Sequence, residues 1–272
     1  MTGFTMGPAL LFCPADRPDR FGKAARRADA VILDLEDAVA PHDKAAAREA
    51  LVASALDPDR TVVRVNQVGS PELAQDLAAL ATTGYRTVML PKTGSAQHVD
   101  VVSGALPGVT VVALVETATG VAQAAQIAAA PAVVALMWGA EDLVASLGGT
   151  SSRHPDGRYR DVARHARASV LLAARAQSKG AVDAVHLDIT DLEGLAAEVG
   201  DARASGFTAT ACIHPSHVQV IRAGYRPDQE EVDWARAVLD AADGQRGAFR
   251  WEGRMVDGPV LAHARQVLRR HG

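Results

Sequence analysis

The chain has 272 residues, 48% of them hydrophobic and 22% charged, with a formal net charge of -4. Such a length suits one large domain, two small ones or a single barrel of roughly 250 residues, with core enough to fold without metal or disulfide. The mild acidity argues against nucleic acid as the main partner, because backbone phosphates demand clustered positive charge.

Along the chain, short β-branched runs alternate with longer alanine-rich amphipathic stretches. Residues 10–14 and 30–35 read as buried strands, 42–56 as a helix and 61–66 as a third strand. A helix over 72–83 follows, then strands at 87–91 and 110–115, a helix over 121–130 and a strand at 132–137. The pattern closes with a helix over 161–179, a strand at 182–187, a helix over 192–205 and a strand at 208–213. This alternation implies βα units and a parallel sheet, and eight strands fit a closed (β/α)8, or TIM, barrel. No GxGxxG follows the first strand, as a doubly wound dinucleotide-binding sheet would require. Residues 148–160 form a polar, turn-rich insertion, expected as a mobile loop over the site. Beyond residue 227 no strand pattern is expected: a helix over 228–242, a loop over 243–258 and a last helix over 259–270. The reading is a barrel over 1–226 and a helical extension over 227–272 that packs on the barrel, on a neighbouring subunit, or on both.

No apolar run approaches the roughly 18–20 residues of a membrane helix, and residues 1–11 lack the basic region of a signal peptide. Cys13 and Cys212 lack CxxC spacing, which excludes a disulfide scaffold or zinc ribbon and suits a reducing cytoplasm. The expectation is a cytoplasmic chain with no membrane and no nucleic-acid partner.

In such a barrel, chemistry sits at the C-terminal ends of the strands. Those ends carry Asp34, Glu36 and Asp37, then Arg64 and Asn66, Lys92, Glu116, Glu141 and Asp142, His186 and Asp188, and His214. Glu116 and Asp142 end neighbouring strands, whose axes lie ~4.8 Å apart. Two carboxylates with water and substrate oxygens are a usual way to hold Mg2+; alternatively, both acids cap the helices that follow. Around them, one of Asp34, Glu36 and Asp37 would orient metal-bound water and two would pair with Arg or Lys. Arg64 lies in an otherwise apolar strand, where its planar fork suits a substrate carboxylate or an internal pair with Glu36 or Asp37. Lys92 is open to two readings, an imine-forming amine or a surface or phosphate-facing residue. His214-Pro215-Ser216-His217 lacks the glutamate of HExxH, which favours a rim role for Ile213 and His214. Trp138, Trp234 and Trp251 read as packing residues.

The ordered motifs Leu11-Phe12-Cys13-Pro14-Ala15-Asp16-Arg17-Pro18, Leu33-Asp34-Leu35-Glu36-Asp37, Val63-Arg64-Val65-Asn66 and Leu90-Pro91-Lys92 continue with Leu114-Val115-Glu116-Thr117 and Trp138-Gly139-Ala140-Glu141-Asp142-Leu143. Cys212-Ile213-His214-Pro215 and Met255-Val256-Asp257-Gly258-Pro259 complete them. Together they span nearly the whole chain, which thereby resembles the citrate lyase β-subunit-like proteins of the HpcH/HpaI aldolase family, relatives of malyl-CoA and citramalyl-CoA lyases. The resemblance implies a TIM barrel with a C-terminal extension and reversible, Mg2+-dependent cleavage of a β-hydroxyacyl-CoA into acetyl-CoA and a 2-oxo acid. It implies Glu116 and Asp142 as metal ligands and Arg64 as substrate-binding and catalytic, with Glu116, Ile213 and His214 also touching substrate. Phe12, Arg20 and Lys23 would meet CoA. Glu36 and Asp37 would support the metal and arginine. Asp257 would enter the active site of a neighbouring subunit in a homotrimer as a catalytic residue. Two rivals stand beside this reading: a partner-dependent citrate lyase subunit or non-catalytic CoA-ester binder, and an aldolase acting on free hydroxy-oxo acids.

Overall fold

The computed structural model describes residues 4–271. Its β-branched runs form β1 (Ala9–Pro14), β2 (Ala30–Asp34), β3 (Thr61–Arg64) and β4 (Thr87–Leu90). β5 (Thr110–Val115), β6 (Val133–Trp138), β7 (Gly180–Asp183) and β8 (Ala209–Cys212) follow. Each pairs in parallel with the next, and β8 pairs with β1, so the eight-stranded sheet closes into the expected TIM barrel. The strands are short and apolar on both faces because one face fills the barrel and the other meets helices. Leu10, Ile32, Val62, Met89, Val112, Leu114, Met137 and Val182 belong to one buried cluster.

The helices are α1 (Pro18–Arg27), α2 (Lys44–Val52), α3 (Glu72–Ala81), α4 (Ala96–Ala105), α5 (Ala118–Ala122) and α6 (Ala124–Ala129). They continue with α7 (Ala140–Ser146), α8 (Asp161–Ala176), α9 (Leu192–Ser205), α10 (His217–Tyr225), α11 (Gln229–Ala241) and α12 (Gly258–His271). The sequence pattern names no helix at α1, α4, α7 or α10; the PDRFGKAARR run of α1 buries only Phe21 and Ala24, and Pro18 at its start is the remaining signal. The helix expected over 121–130 is two, because Gln123 leaves helical geometry at φ -108°, ψ 13°. The seventh strand ends at Asp183 rather than running to 187, since Asp183 Oδ1 accepts the N–H of Ala184 and competes with the ladder. His186 and Asp188 therefore lie on the segment after the strand, not on it.

By compactness the chain forms two units, Met1–Ile221 and Arg222–Gly272. Within the second, α11 opens with a capping box between Asp228 and Glu231. The stretch expected as a loop instead contains a hairpin of β9 (Phe249–Trp251) and β10 (Arg254–Val256), paired antiparallel. Gly253, at φ +79°, supplies the positive dihedral the tight connection demands. Val232, Ala235, Val238, Val256, Ala264 and Val267 make this unit's own core.

Among the described residues, no helix is long and apolar enough to cross a membrane. Cys13 and Cys212 are free and buried, and burial pushes their thiols up to about 11 and about 12. Both are therefore uncharged thiols at neutral pH.

Candidate active site

Strand register assembles the site. β2 sets Asp34 directly beside Arg64 of β3, and Arg64 donates from Nε to Asp34 Oδ1 at 2.7 Å and from a terminal nitrogen to Oδ2 at 2.5 Å. Its other nitrogen lies 2.9 Å from Glu36 Oε2. The internal pair is thus with Asp34 and Glu36, not Asp37. Burial opposes the charge on Arg64, but Asp34's hydrogen bonds and the carboxylates of Asp34, Glu36 and Glu116 outweigh it and hold the guanidinium above its ordinary range. The same guanidinium lies 4.9 Å above the ring centroid of Phe12, a cation–π contact that fixes it from the β1 side. Lys44, buried on α2, supports the turn from beneath: its ammonium donates to the carbonyls of Leu35 and Glu36 and to Asn66 Oδ1.

Lys92 is the residue the sequence left most open. It follows β4 with φ at +49°, a left-handed conformation that is costly for a residue with a Cβ. This turn sends its N–H to Glu116 Oε1 at 3.0 Å. Its ammonium reaches Glu36 at 2.6 Å, Asp37 at 3.2 Å and Asp142 at 3.3 Å. Burial lowers its affinity for a proton, but the bond to Glu36 and the charges of Glu36, Glu116 and Asp142 raise it more, so the amine sits above the ordinary lysine range. A firmly protonated amine lacks the lone pair that imine formation needs.

Glu116 is 3% exposed. Burial, followed by the nearby Asp142 carboxylate, pushes it up to about 8. The backbone has been shaped to accommodate it, because a Cβ on Gly139 would come within 2.6 Å of Glu116 Oε2. Asp142 lies near enough for its charge to act on Glu116, and Lys92 reaches both, Glu116 through its N–H and Asp142 through its ammonium. Five carboxylates (Asp34, Glu36, Asp37, Glu116, Asp142) face two cations, Arg64 and Lys92, across the mouth. That surplus suits a small hard dication. Among the described residues no three His, Cys, Asp or Glu side chains form a metal cage. A site of two carboxylates with open positions is the pattern Mg2+ accepts.

The remaining sequence-derived residues lie on neighbouring elements. Arg20 and Lys23 are exposed and three residues apart on α1, so they share a face. Ile213, 40% exposed, and His214 follow β8 at the rim, where His214 Nδ1 lies 2.6 Å from Ser216 Oγ. His217, its ring centroid 6.2 Å from that of His214, is fully buried. Asp257 belongs to the second unit, between β10 and α12. Trp138 is fully buried, Trp234 lies against His263, and Trp251 packs on the second unit's core.

Within the 148–160 segment expected as a mobile loop, residues 151–160 form a hairpin. Arg153 and Tyr159 pair across the segment as a β-bridge, and Arg153 also lies over the Tyr159 ring and pairs with Glu198. Beneath it is a cavity of about 1070 Å³ whose lining includes Glu141, Arg153, Tyr159, Asp183, His186 and Glu198. The sequence pattern reads this segment only as a loop over the site. Its one signal was Arg153 and Tyr159 flanking an Asp-Gly turn, a hairpin pattern.

Residues 9–215 match the family model for HpcH/HpaI aldolase/citrate lyase. The chain is 59% identical over 266 residues to a citrate lyase subunit beta-like protein of Mycobacterium tuberculosis, covering 98% of this chain and 96% of that one. It is 33% identical to a (3S)-malyl-CoA thioesterase of Cereibacter sphaeroides, covering 96% and 93%. A crystal structure of protein CitE from Mycobacterium tuberculosis in complex with magnesium, acetoacetate and coenzyme A superposes with a TM-score of 0.93 at 58% identity, covering 99% of each chain.

Proposed function

The chain belongs to the HpcH/HpaI aldolase/citrate lyase family and is a lyase, and from that premise we propose that it cleaves a β-hydroxyacyl-CoA thioester into acetyl-CoA and a 2-oxo acid. Its substrate is of the malyl, citramalyl, citryl or methylglutaryl type, and the reaction runs back by Claisen-type condensation. The observation that carries this reading is the approach of Glu116 and Asp142 beside the arginine cradle, which offers one place for a dication and one for a carboxylate or oxyanion. A CitE structure of Mycobacterium tuberculosis that holds magnesium, acetoacetate and coenzyme A supports it.

Glu116 and Asp142 hold Mg2+, which when bound supplies Lewis acidity and a template for the substrate's oxygens. Arg64 is pre-aimed by Asp34 and Glu36, so its charge meets developing oxyanion character without reorganisation. In cleavage, the β-hydroxyl passes its proton to a water molecule and becomes the carbonyl of the 2-oxo acid. The electron pair of the broken C–C bond passes to the thioester α-carbon as an enolate. Asp257, delivered by a neighbouring subunit of a homotrimer, returns a proton to that carbon; in condensation it removes one. Phe12, Arg20 and Lys23 receive CoA, Ile213 and His214 contact substrate at the rim, and Glu36 and Asp37 hold Lys92 and Arg64 in place. Residues 227–272 act as the lid of this cytoplasmic enzyme.

The test is a thioester panel with the purified chain alone, with Mg2+ or with chelator, read by mass spectrometry. The expected products are acetyl-CoA and a 2-oxo acid from one thioester, abolished by chelator. Free CoA with an intact hydroxy acid would instead assign thioester hydrolysis. Cleavage only of thioesters on an acyl-carrier partner would assign a dependent subunit.

A further inference from the structure

Two adjacent carboxylates, Glu141 and Asp142, open α7. Consecutive helical residues diverge by about 100°, so the turn's orientation decides which one faces Glu116. We propose that the 151–160 hairpin makes this choice: it captures Glu141 and thereby commits Asp142 to the cation site, with Ser152 as the positioning residue.

Ser152 is 2% exposed and donates from Oγ to Glu141 Oε1 at 2.7 Å. Its own carbonyl accepts from the N–H of Arg160 at 2.8 Å, so the hydroxyl is carried on a closed hairpin. The hairpin is also fixed at the other end of the Trp138–Asp142 turn. The Tyr159 ring stands edge-on to Trp138 with centroids 5.1 Å apart, and the indole N–H of Trp138 donates to Asp183 at 2.5 Å. Arg153 ties the assembly to α9 through Glu198 and lies 3.8 Å above the Tyr159 ring centroid. The turn bearing both acids is therefore gripped at residue 138 and at residue 141. The two carboxylates end in different places: Glu141 lines the cavity under the hairpin with His186 and Glu198, while Asp142 approaches Lys92 at 3.3 Å. Released from Ser152, Glu141 would gain rotamer freedom and the first turn of α7 would lose its anchor. Partners that orient a ligand typically change metal affinity by about 10–100-fold.

The inference rests on the Mg2+ reading of Glu116 and Asp142, and the experiment separates the two. Metal binding by the full chain is measured calorimetrically with Mg2+ and by electron paramagnetic resonance with Mn2+, for Ser152→Ala, Ser152→Thr, Glu141→Gln and Asp142→Asn. The expected result is about tenfold weaker binding in Ser152→Ala, restored by threonine, with kcat at saturating Mg2+ within about twofold of the parent protein. Glu141→Gln keeps the acceptor for Ser152 and should bind metal like the parent, whereas Asp142→Asn should not bind. Parent-like affinity in Ser152→Ala, with Asp142→Asn defective, overturns the inference and leaves the Mg2+ reading standing. Loss of binding in Glu141→Gln makes Glu141 itself the ligand and overturns it too. Parent-like binding in Asp142→Asn overturns both.

Discussion

Two charged regions share the C-terminal end of the barrel, and they differ in how their carboxylates are partnered. Under the hairpin, Asp183 accepts from Trp138, Arg167 and Ala184, Glu198 meets Arg153 and His186, and Glu141 has Ser152. At the mouth, Glu116 accepts from the backbone N–H of Lys92, and Asp142, partly exposed, meets the Lys92 ammonium at 3.3 Å. The two regions differ in how fully donors meet their carboxylates. A carboxylate saturated by donors holds structure together, while a buried one short of donors is poised to bind something.

The largest effect that would break this contrast lies at the mouth. Glu116→Gln should reduce turnover by about a thousandfold, the loss expected when several kcal/mol of transition-state stabilisation go, while circular dichroism stays unchanged. Turnover retained in Glu116→Gln would place the deficit of donors elsewhere. Arg64→Lys keeps the charge but loses the fork that grips Asp34 and Glu36, and kcat/KM should fall about a hundredfold. Steady-state kinetics would show this as a lower kcat rather than a raised KM alone.

In the hairpin region the same kind of change should act on stability. Arg167, 18% exposed, lies against Asp183 and Asp201. Arg167→Ala leaves Asp183 buried without its guanidinium partner, at a cost of about 3 kcal/mol in denaturant unfolding, while Mg2+ affinity is preserved. A lost Mg2+ affinity with unchanged stability would reverse the assignment of the two regions. The smallest effect concerns His217, whose pKa is lowered by burial, with His186 and His214 adding to the shift. Its folded value lies below the unfolded value of about 6.5, so the unfolded chain binds the extra proton. Its share of stability is complete above that pH and is lost as pH falls towards the lowered value. Thermal melts from pH 7.5 to 5 should show this slope, and His217→Gln should flatten it.

The sequence alone determined the barrel, because apolar strand runs and amphipathic helices obey local periodicities that need no partner to be read. It also placed Asp34, Arg64, Glu116 and Asp142 at strand ends, since register along a parallel barrel follows from strand order. It missed α1, whose apolar face is only two residues, and the β9–β10 hairpin, whose three-residue strands show no alternation. Tertiary structure alone decided the partners. Whether Arg64 pairs with Asp34 or Asp37, where Lys92 points after its left-handed turn, and which of Glu141 and Asp142 is captured by Ser152 depend on distances of a few ångströms between segments remote in sequence. Residue type and spacing carry no record of those distances. Burial and hydrogen bonds set them, and they turn a ring of acids into one saturated region and one open site.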